Sequence, residues 1–301
     1  MALRLFPLVL LFLAGFAQAA LTERFLQHDG MKRRYVVYVP SSLEQSSAPR
    51  AALLNFHGGG GHAEQHMKTS GMNRVADAHG FIVVYPDGTS AGGPLLTWNA
   101  GTCCGYAVRA RVDDVGFVRK LAAELVRDFR VDPKRLYAAG HSNGGMLAYR
   151  LAAEASDLIS GAGIVSADLG VDGPAPARPV PLIVFHGLQD KNVLWDGGMG
   201  PNQFDRHPHR SIPETLAIWK KWNHCADAPV RTETGAEYIM ERYEPPAGTP
   251  GAVIVLYKLP NGGHSWPGGE PGARVLNLGP HVKSVDASRL IWLTLSERSQ
   301  Q

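Results

Sequence analysis

Three side chains in this sequence have the types and positions that acyl transfer requires: a nucleophile, a base for its proton, and a carboxylate to orient that base. Ser142 sits in Gly140-His141-Ser142-Asn143-Gly144, after a short apolar run and before a helix-like run at 145–155. A G-x-S-x-G sequence in that context puts serine on a sharp strand-to-helix turn, and the flanking glycines let backbone pass close to it. The alternative is an ordinary serine in a glycine-bounded turn. Asp190 follows the apolar run 181–185 in His186-Gly-Leu-Gln-Asp190, and His264 follows the run 252–259 in a glycine-bounded loop. Each of the three stands just past a different strand-like run, as a spatially converging triad needs.

Rivals for these roles are present. Asp113 and Asp114 open a helix-like segment, where acids favour the positive helix end, so they read as structural. Asp196 is the main rival acid, in the same loop as Asp190 but further from the strand end. His57 and His141 come too early in the chain to be the base. His207 and His209 lie in a proline-containing loop and read as surface residues. His62 and His66 are four apart on a helix-like run with no third ligand, so they read as a solvated face. The chemistry calls for no metal and no organic cofactor.

A tetrahedral intermediate also needs donors for its oxyanion. The amide of Asn143, next to the serine, is one candidate, and Gly59 in His57-Gly58-Gly59-Gly60-Gly61 is the other. One such donor is worth about 3–4 kcal/mol in the transition state. Trp98 and Trp266 lie in glycine-rich loops. They would either stack on substrate or act as apolar pegs holding those loops.

The elements that must position these groups alternate. Strand-like runs occur at 33–40, 51–56, 81–85, 159–166, 181–185 and 252–259, with a hairpin-like pair at 230–242. Helix-like runs occur at 64–78, 113–129, 145–155, 213–223 and 282–295. Alternation from residue 51 onward predicts an α/β fold, a mostly parallel central sheet with helices on both faces. In such sheets the working site lies past the carboxyl ends of the strands. That is where the three loops fall, and Ser…Asp…His is the order of α/β hydrolases.

Residues 1–19 read as a cleaved export signal: Arg4, an apolar stretch at 5–16, then Ala17-Gln18-Ala19. The predicted organisation is therefore a signal peptide at 1–19 and one catalytic domain at 20–301, secreted to the periplasm or the medium, with no membrane association after cleavage. Net charge is +3 and basic residues are scattered, so nothing resembles a nucleic-acid footprint. The three cysteines are Cys103, Cys104 and Cys225. The first expectation is a bridge from one of the adjacent pair to Cys225, taken as Cys104–Cys225, worth roughly 4–5 kcal/mol in the chain-entropy model. A vicinal Cys103–Cys104 ring ranks second and a metal site third.

Taken in order, several segments carry a family resemblance. They are Phe56-His-Gly-Gly59, Pro86-Asp-Gly88, Trp98-Asn with Cys103-Cys-Gly105, Asp113-Asp-Val-Gly-Phe117, Gly140-His-Ser-Asn-Gly-Gly-Met146, His186-Gly with Asp190, and Gly263-His-Ser-Trp-Pro-Gly268. From about Arg34 onward the chain resembles the extracellular esterases that group polyhydroxybutyrate depolymerases with feruloyl and acetylxylan esterases of the carbohydrate-esterase-family-1 type. The resemblance implies an α/β-hydrolase fold, with nucleophile, acid and base on Ser142, Asp190 and His264. It implies a polyhydroxyalkanoate or a feruloyl or acetyl polysaccharide ester as substrate. Unlike some members, this sequence shows no Thr/Ser-rich linker and no polymer-binding domain, which favours soluble oligomers or cell-wall esters over crystalline polyester. A serine peptidase on the same fold, and a non-catalytic binding protein on a hydrolase scaffold, are the alternative readings.

Overall fold

The computed structural model describes residues 19–44, 46–173, 175–203, 207–271 and 277–297. The predicted export signal lies, but for its last residue, outside the described residues. Among the described residues ten strands form one sheet: β1 (Ala20–His28), β2 (Met31–Val39), β3 (Arg50–Phe56), β4 (Ile82–Pro86), β5 (Val131–His141), β6 (Ala162–Val165), β7 (Leu182–Gly187), β8 (Arg231–Thr234), β9 (Ile239–Tyr243) and β10 (Ile254–Leu259). Seven α-helices accompany them among the described residues: α1 (Ala63–Ser70), α2 (Met72–His79), α3 (Gly105–Arg109), α4 (Asp114–Phe129), α5 (Asn143–Glu154), α6 (Ile212–Trp222) and α7 (Ala287–Ser296).

Strand order is β1-β2-β4-β3-β5-β6-β7-β10-β9-β8. The run from β4 to β10 is parallel, and an antiparallel hairpin closes each edge. The central strands are buried on both faces, which is why they read as unbroken apolar runs rather than as alternating ones. Alternate side chains divide between two core clusters. Leu54, Phe56, Ala138 and Val184 face one layer with α4, α5 and α6. Leu53, Tyr137, Ile183 and Val255 face the other with α2 and α7.

Local chemistry sets the helix ends. Asp113 accepts from the Gly116 amide at 2.9 Å and starts α4. Ser211 accepts from Glu214 N at 3.1 Å and starts α6, with Pro213 in its first turn. The predicted helix at 64–78 is in fact two, because Gly71 takes φ 60° and turns the chain between α1 and α2. Strand β1 was not predicted. Of its nine residues only Leu26 is buried, so it has no alternation to read.

The cysteine expectation is corrected. Cys103 and Cys104 are joined to each other. Cys225 takes no part in that bridge, and its thiol donates to the Ala252 carbonyl at 3.1 Å. Sequence separation cannot rank pairings. The fold puts Cys103 and Cys104 in the loop before α3 and Cys225 just past α6.

Candidate active site

Ser142 stands between the end of β5 and the start of α5 with φ 53° and ψ −125°, in the left-handed region that non-glycine residues rarely occupy. Such strain, of order 1–3 kcal/mol, persists only where surroundings impose it. Here the Ser142 amide donates to Val165 O at 2.9 Å, and its carbonyl accepts from Met146 N at 2.8 Å. The glycines are needed because the chain packs against itself. A Cβ on Gly144 would lie 2.4 Å from the carbonyl oxygens of Phe56 and His57, and one on Gly140 would lie 2.3 Å from the Gly144 carbonyl.

His264 Nε2 lies 2.8 Å from Ser142 Oγ, and His264 Nδ1 lies 2.7 Å from Asp190 Oδ2. Asp190 Oδ1 is occupied by the Asn192 and Val193 amides at 2.8 and 3.0 Å. Burial alone would raise the Asp190 carboxyl. Facing His264, His186 and the Asn192 amide, it is instead held below the ordinary carboxylate value. Because the carboxylate binds Nδ1–H, Nε2 is the nitrogen left to accept the serine proton. Asp196, the rival acid, is exposed on the same loop. His264 is fixed from behind, its amide donating to Leu278 O at 2.6 Å.

A cavity of about 600 Å³ opens on this chain of hydrogen bonds, and Gly59, Ser142, Asn143, His264 and Trp266 line it. As the first residue of α5, Asn143 has an amide that helical bonding leaves without a partner. The Gly59 amide is aimed by its own peptide plane. The Gly58 carbonyl accepts from Gly61 N at 3.0 Å and from His57 Nδ1 at 2.8 Å. In a planar trans peptide the Gly59 N–H must therefore point the opposite way. His57 Nε2 in turn accepts from Gly88 N at 3.0 Å, so this buried ring is neutral with its proton on Nδ1.

Trp98 and Trp266 divide. Trp266 lines the cavity, its Nε1 donating to Ser288 Oγ at 3.0 Å. Trp98 is fully buried behind the site, which corrects its expected contact with substrate. Its indole donates to His57 O at 3.0 Å, and its backbone exchanges hydrogen bonds of 2.7 and 3.0 Å with the Asn143 side chain. It braces both oxyanion candidates instead.

Two histidine readings are also corrected. His66 is buried, with Nε2 2.9 Å from Asn55 Oδ1, and His209 is buried, with Nδ1 3.1 Å from Asp168 Oδ1. Spacing alone could not reveal either, because each partner arrives from a different strand end.

Burial holds three of these rings in the neutral form. His57 is lowered to about 4, His66 well below the ordinary value, and His186 below it, burial being the main cause each time. An unfolded histidine protonates near 6.5, so between about 6.5 and each folded value the unfolded chain binds more protons than the folded one. The stability these rings contribute is complete above about pH 6.5 and falls as pH drops towards 4. Each ring contributes a slope of up to about 1.4 kcal/mol per pH unit. Urea unfolding at pH 7.5, 6 and 5 should show a falling midpoint, and a flat profile would refute the neutral-ring account.

The chain matches the model of the family described as Esterase PHB depolymerase over residues 33–174. It is 30% identical over 278 residues to the putative esterase NocK of Nocardia uniformis subsp. tsuyamanensis, covering 84% of this chain and 76% of that protein. The chain belongs to the PHB depolymerase-type esterases of the α/β-hydrolase superfamily. The family is one of carboxylic ester hydrolases. The chain is also 34% identical over 247 residues to feruloyl esterase B of Piromyces equi, covering 80% of this chain but only 44% of that protein's length. Among solved structures, the acetyl xylan esterase of Aspergillus awamori superposes with a TM-score of 0.58 at 14% identity, covering 81% of this chain and 94% of that one. That likeness speaks for the fold alone. The family match ends before Asp190 and His264, so the geometry around those two residues is independent support for their roles.

Proposed function

We propose that this protein is an exported serine esterase that works through an acyl-enzyme. The observation that carries the reading is the unbroken chain Ser142 Oγ–His264 Nε2 (2.8 Å) and His264 Nδ1–Asp190 Oδ2 (2.7 Å), whose Ser142 and His264 line the cavity. Ser142 Oγ attacks the ester carbonyl carbon while His264 Nε2 takes its proton. Asp190 keeps the imidazole in the right tautomer and stabilises the imidazolium. The Asn143 and Gly59 amides receive the oxyanion. Collapse of the intermediate breaks the bond to the alcohol oxygen, which leaves with the proton from His264. Water, deprotonated by His264, then releases the acid and restores Ser142.

Feruloyl and acetylxylan esterases among the relatives favour hydroxycinnamoyl or acetyl esters of polysaccharide, and the family description favours hydroxybutyrate oligomers. Export is supported by the signal-like residues 1–19. Among the described residues no helix is long and apolar enough to cross a membrane. A fluorophosphonate probe should label the wild type and not Ser142→Ala, and p-nitrophenyl acyl esters should be cleaved while peptide anilides are not. An unlabelled wild type would end the serine mechanism, and faster cleavage of anilides would make the protein a peptidase.

A further inference from the structure

One wall of the cavity presents side chains that have no part in the triad chemistry. It is built by the loop that follows Asp190 and carries Asn192, Val193, Gln203 and His209. Asn192 is 8% exposed, and its Nδ2 has no hydrogen-bond partner among the described residues. An amide donor left unpaired at such depth costs about 1–3 kcal/mol. Native proteins keep few of these, and each calls for a reason. The residue that carries this one lines the cavity that holds Ser142.

The wall is rigid. The Asn192 amide is fixed on Asp190 Oδ1 at 2.8 Å, so its backbone moves only with the acid. His209 is tied through Nδ1 to Asp168, whose other oxygen accepts the Arg210 amide at 2.9 Å. Gly198 and His209 exchange backbone hydrogen bonds of 2.8 and 2.9 Å, which closes the loop on itself. Gln203 Nε2 is already engaged, donating to His207 O at 2.8 Å. The cavity's charged side chains outside the triad loops, Lys68 and Glu270, are exposed and face each other at 3.4 Å. Among the described residues no arginine lines the cavity to meet a carboxylate or phosphate.

We infer that Asn192 Nδ2 donates to a neutral oxygen substituent of the substrate, and that the protein prefers esters bearing a hydroxyl to their unsubstituted counterparts. This deepens the esterase reading and rests on it. A wall tied down in this way, with an unpaired uncharged donor, selects a hydroxyl over a hydrocarbon, because the hydrocarbon leaves the donor unpaired. The hydroxyl could lie on the acid or on the alcohol.

The test uses matched pairs: ethyl 3-hydroxybutyrate against ethyl butyrate, methyl 4-hydroxycinnamate against methyl cinnamate, and 2-hydroxyethyl butyrate against ethyl butyrate. The readout is the ratio of kcat/KM within a pair, in which any general loss of activity cancels. Wild type should favour the hydroxylated member of at least one pair by about tenfold, the worth of one neutral hydrogen bond. The pair that shows it says whether the hydroxyl is on the acid or the alcohol. Asn192→Leu and Asn192→Asp, each shown to be folded by fluorophosphonate labelling of Ser142, should bring that ratio towards one. Wild-type ratios near one in all three pairs, or a wild-type preference that survives both substitutions, overturn the inference while leaving the esterase reading intact. Failure of both labelling and hydrolysis in the wild type would instead overturn the esterase reading, and this inference with it.

Discussion

Ser142→Ala is expected to lower kcat on p-nitrophenyl butyrate by roughly 10⁴–10⁶ while leaving the fold intact. The attacking atom is lost, but the Asn143 and Gly59 amides remain, so residual turnover should still exceed the uncatalysed rate. Stability should hardly change. Alanine shares the backbone limits of serine at φ 53°. The hydrogen bond lost, to His264 Nε2, faces the cavity, where water can replace it. A melting temperature within a few degrees of wild type, together with the loss of turnover, would support a direct chemical role. A loss of less than tenfold would show that another group attacks the ester.

The second large effect is expected far from the serine. Arg33 is 2% exposed, donates to Asp114 Oδ1 at 2.7 Å and lies 4.0 Å from the Phe117 ring centroid. Asp114 Oδ2 accepts the Asn99 amide at 2.7 Å, which anchors the loop that carries Trp98. Burial pushes the Asp114 carboxyl above its ordinary value despite Arg33, so the pair as a whole adds little net stability. Breaking it is another matter. Arg33→Ala strands a buried carboxylate and should cost about 3–5 kcal/mol. Displacement of the Asn99 anchor should also loosen the Trp98 bonds to Asn143, so kcat should fall below wild type at temperatures where the variant is still folded. Urea unfolding and ester turnover measured on the same sample check both parts. A cost below about 1 kcal/mol would mean that Asp114 protonates or is hydrated without penalty.

The sequence by itself determined the parallel α/β sheet, and it singled out Ser142, Asp190 and His264, which the fold brings into one hydrogen-bonded chain. Both signals are local. Strands buried on both faces leave unbroken apolar runs such as Ile183 to Phe185. A serine on a sharp turn needs glycine where backbone approaches it, as at Gly140 and Gly144. The Ser…Asp…His order then follows from which strand ends carry those residues. Strand β1 escaped because a mostly exposed edge strand has no apolar period.

Only the tertiary structure decided what surrounds the triad. Trp98 had equal claims to substrate and to core until the fold placed its indole on the His57 carbonyl. Cys104 could pair with either of two cysteines until the loop before α3 closed on itself. His209 looked like a surface residue until Asp168 met it from beyond β6. In each case the deciding partner is more than 40 residues away in the chain or the choice is between near and far neighbours. Such contacts are fixed by how strands stack in the sheet, which local composition does not record.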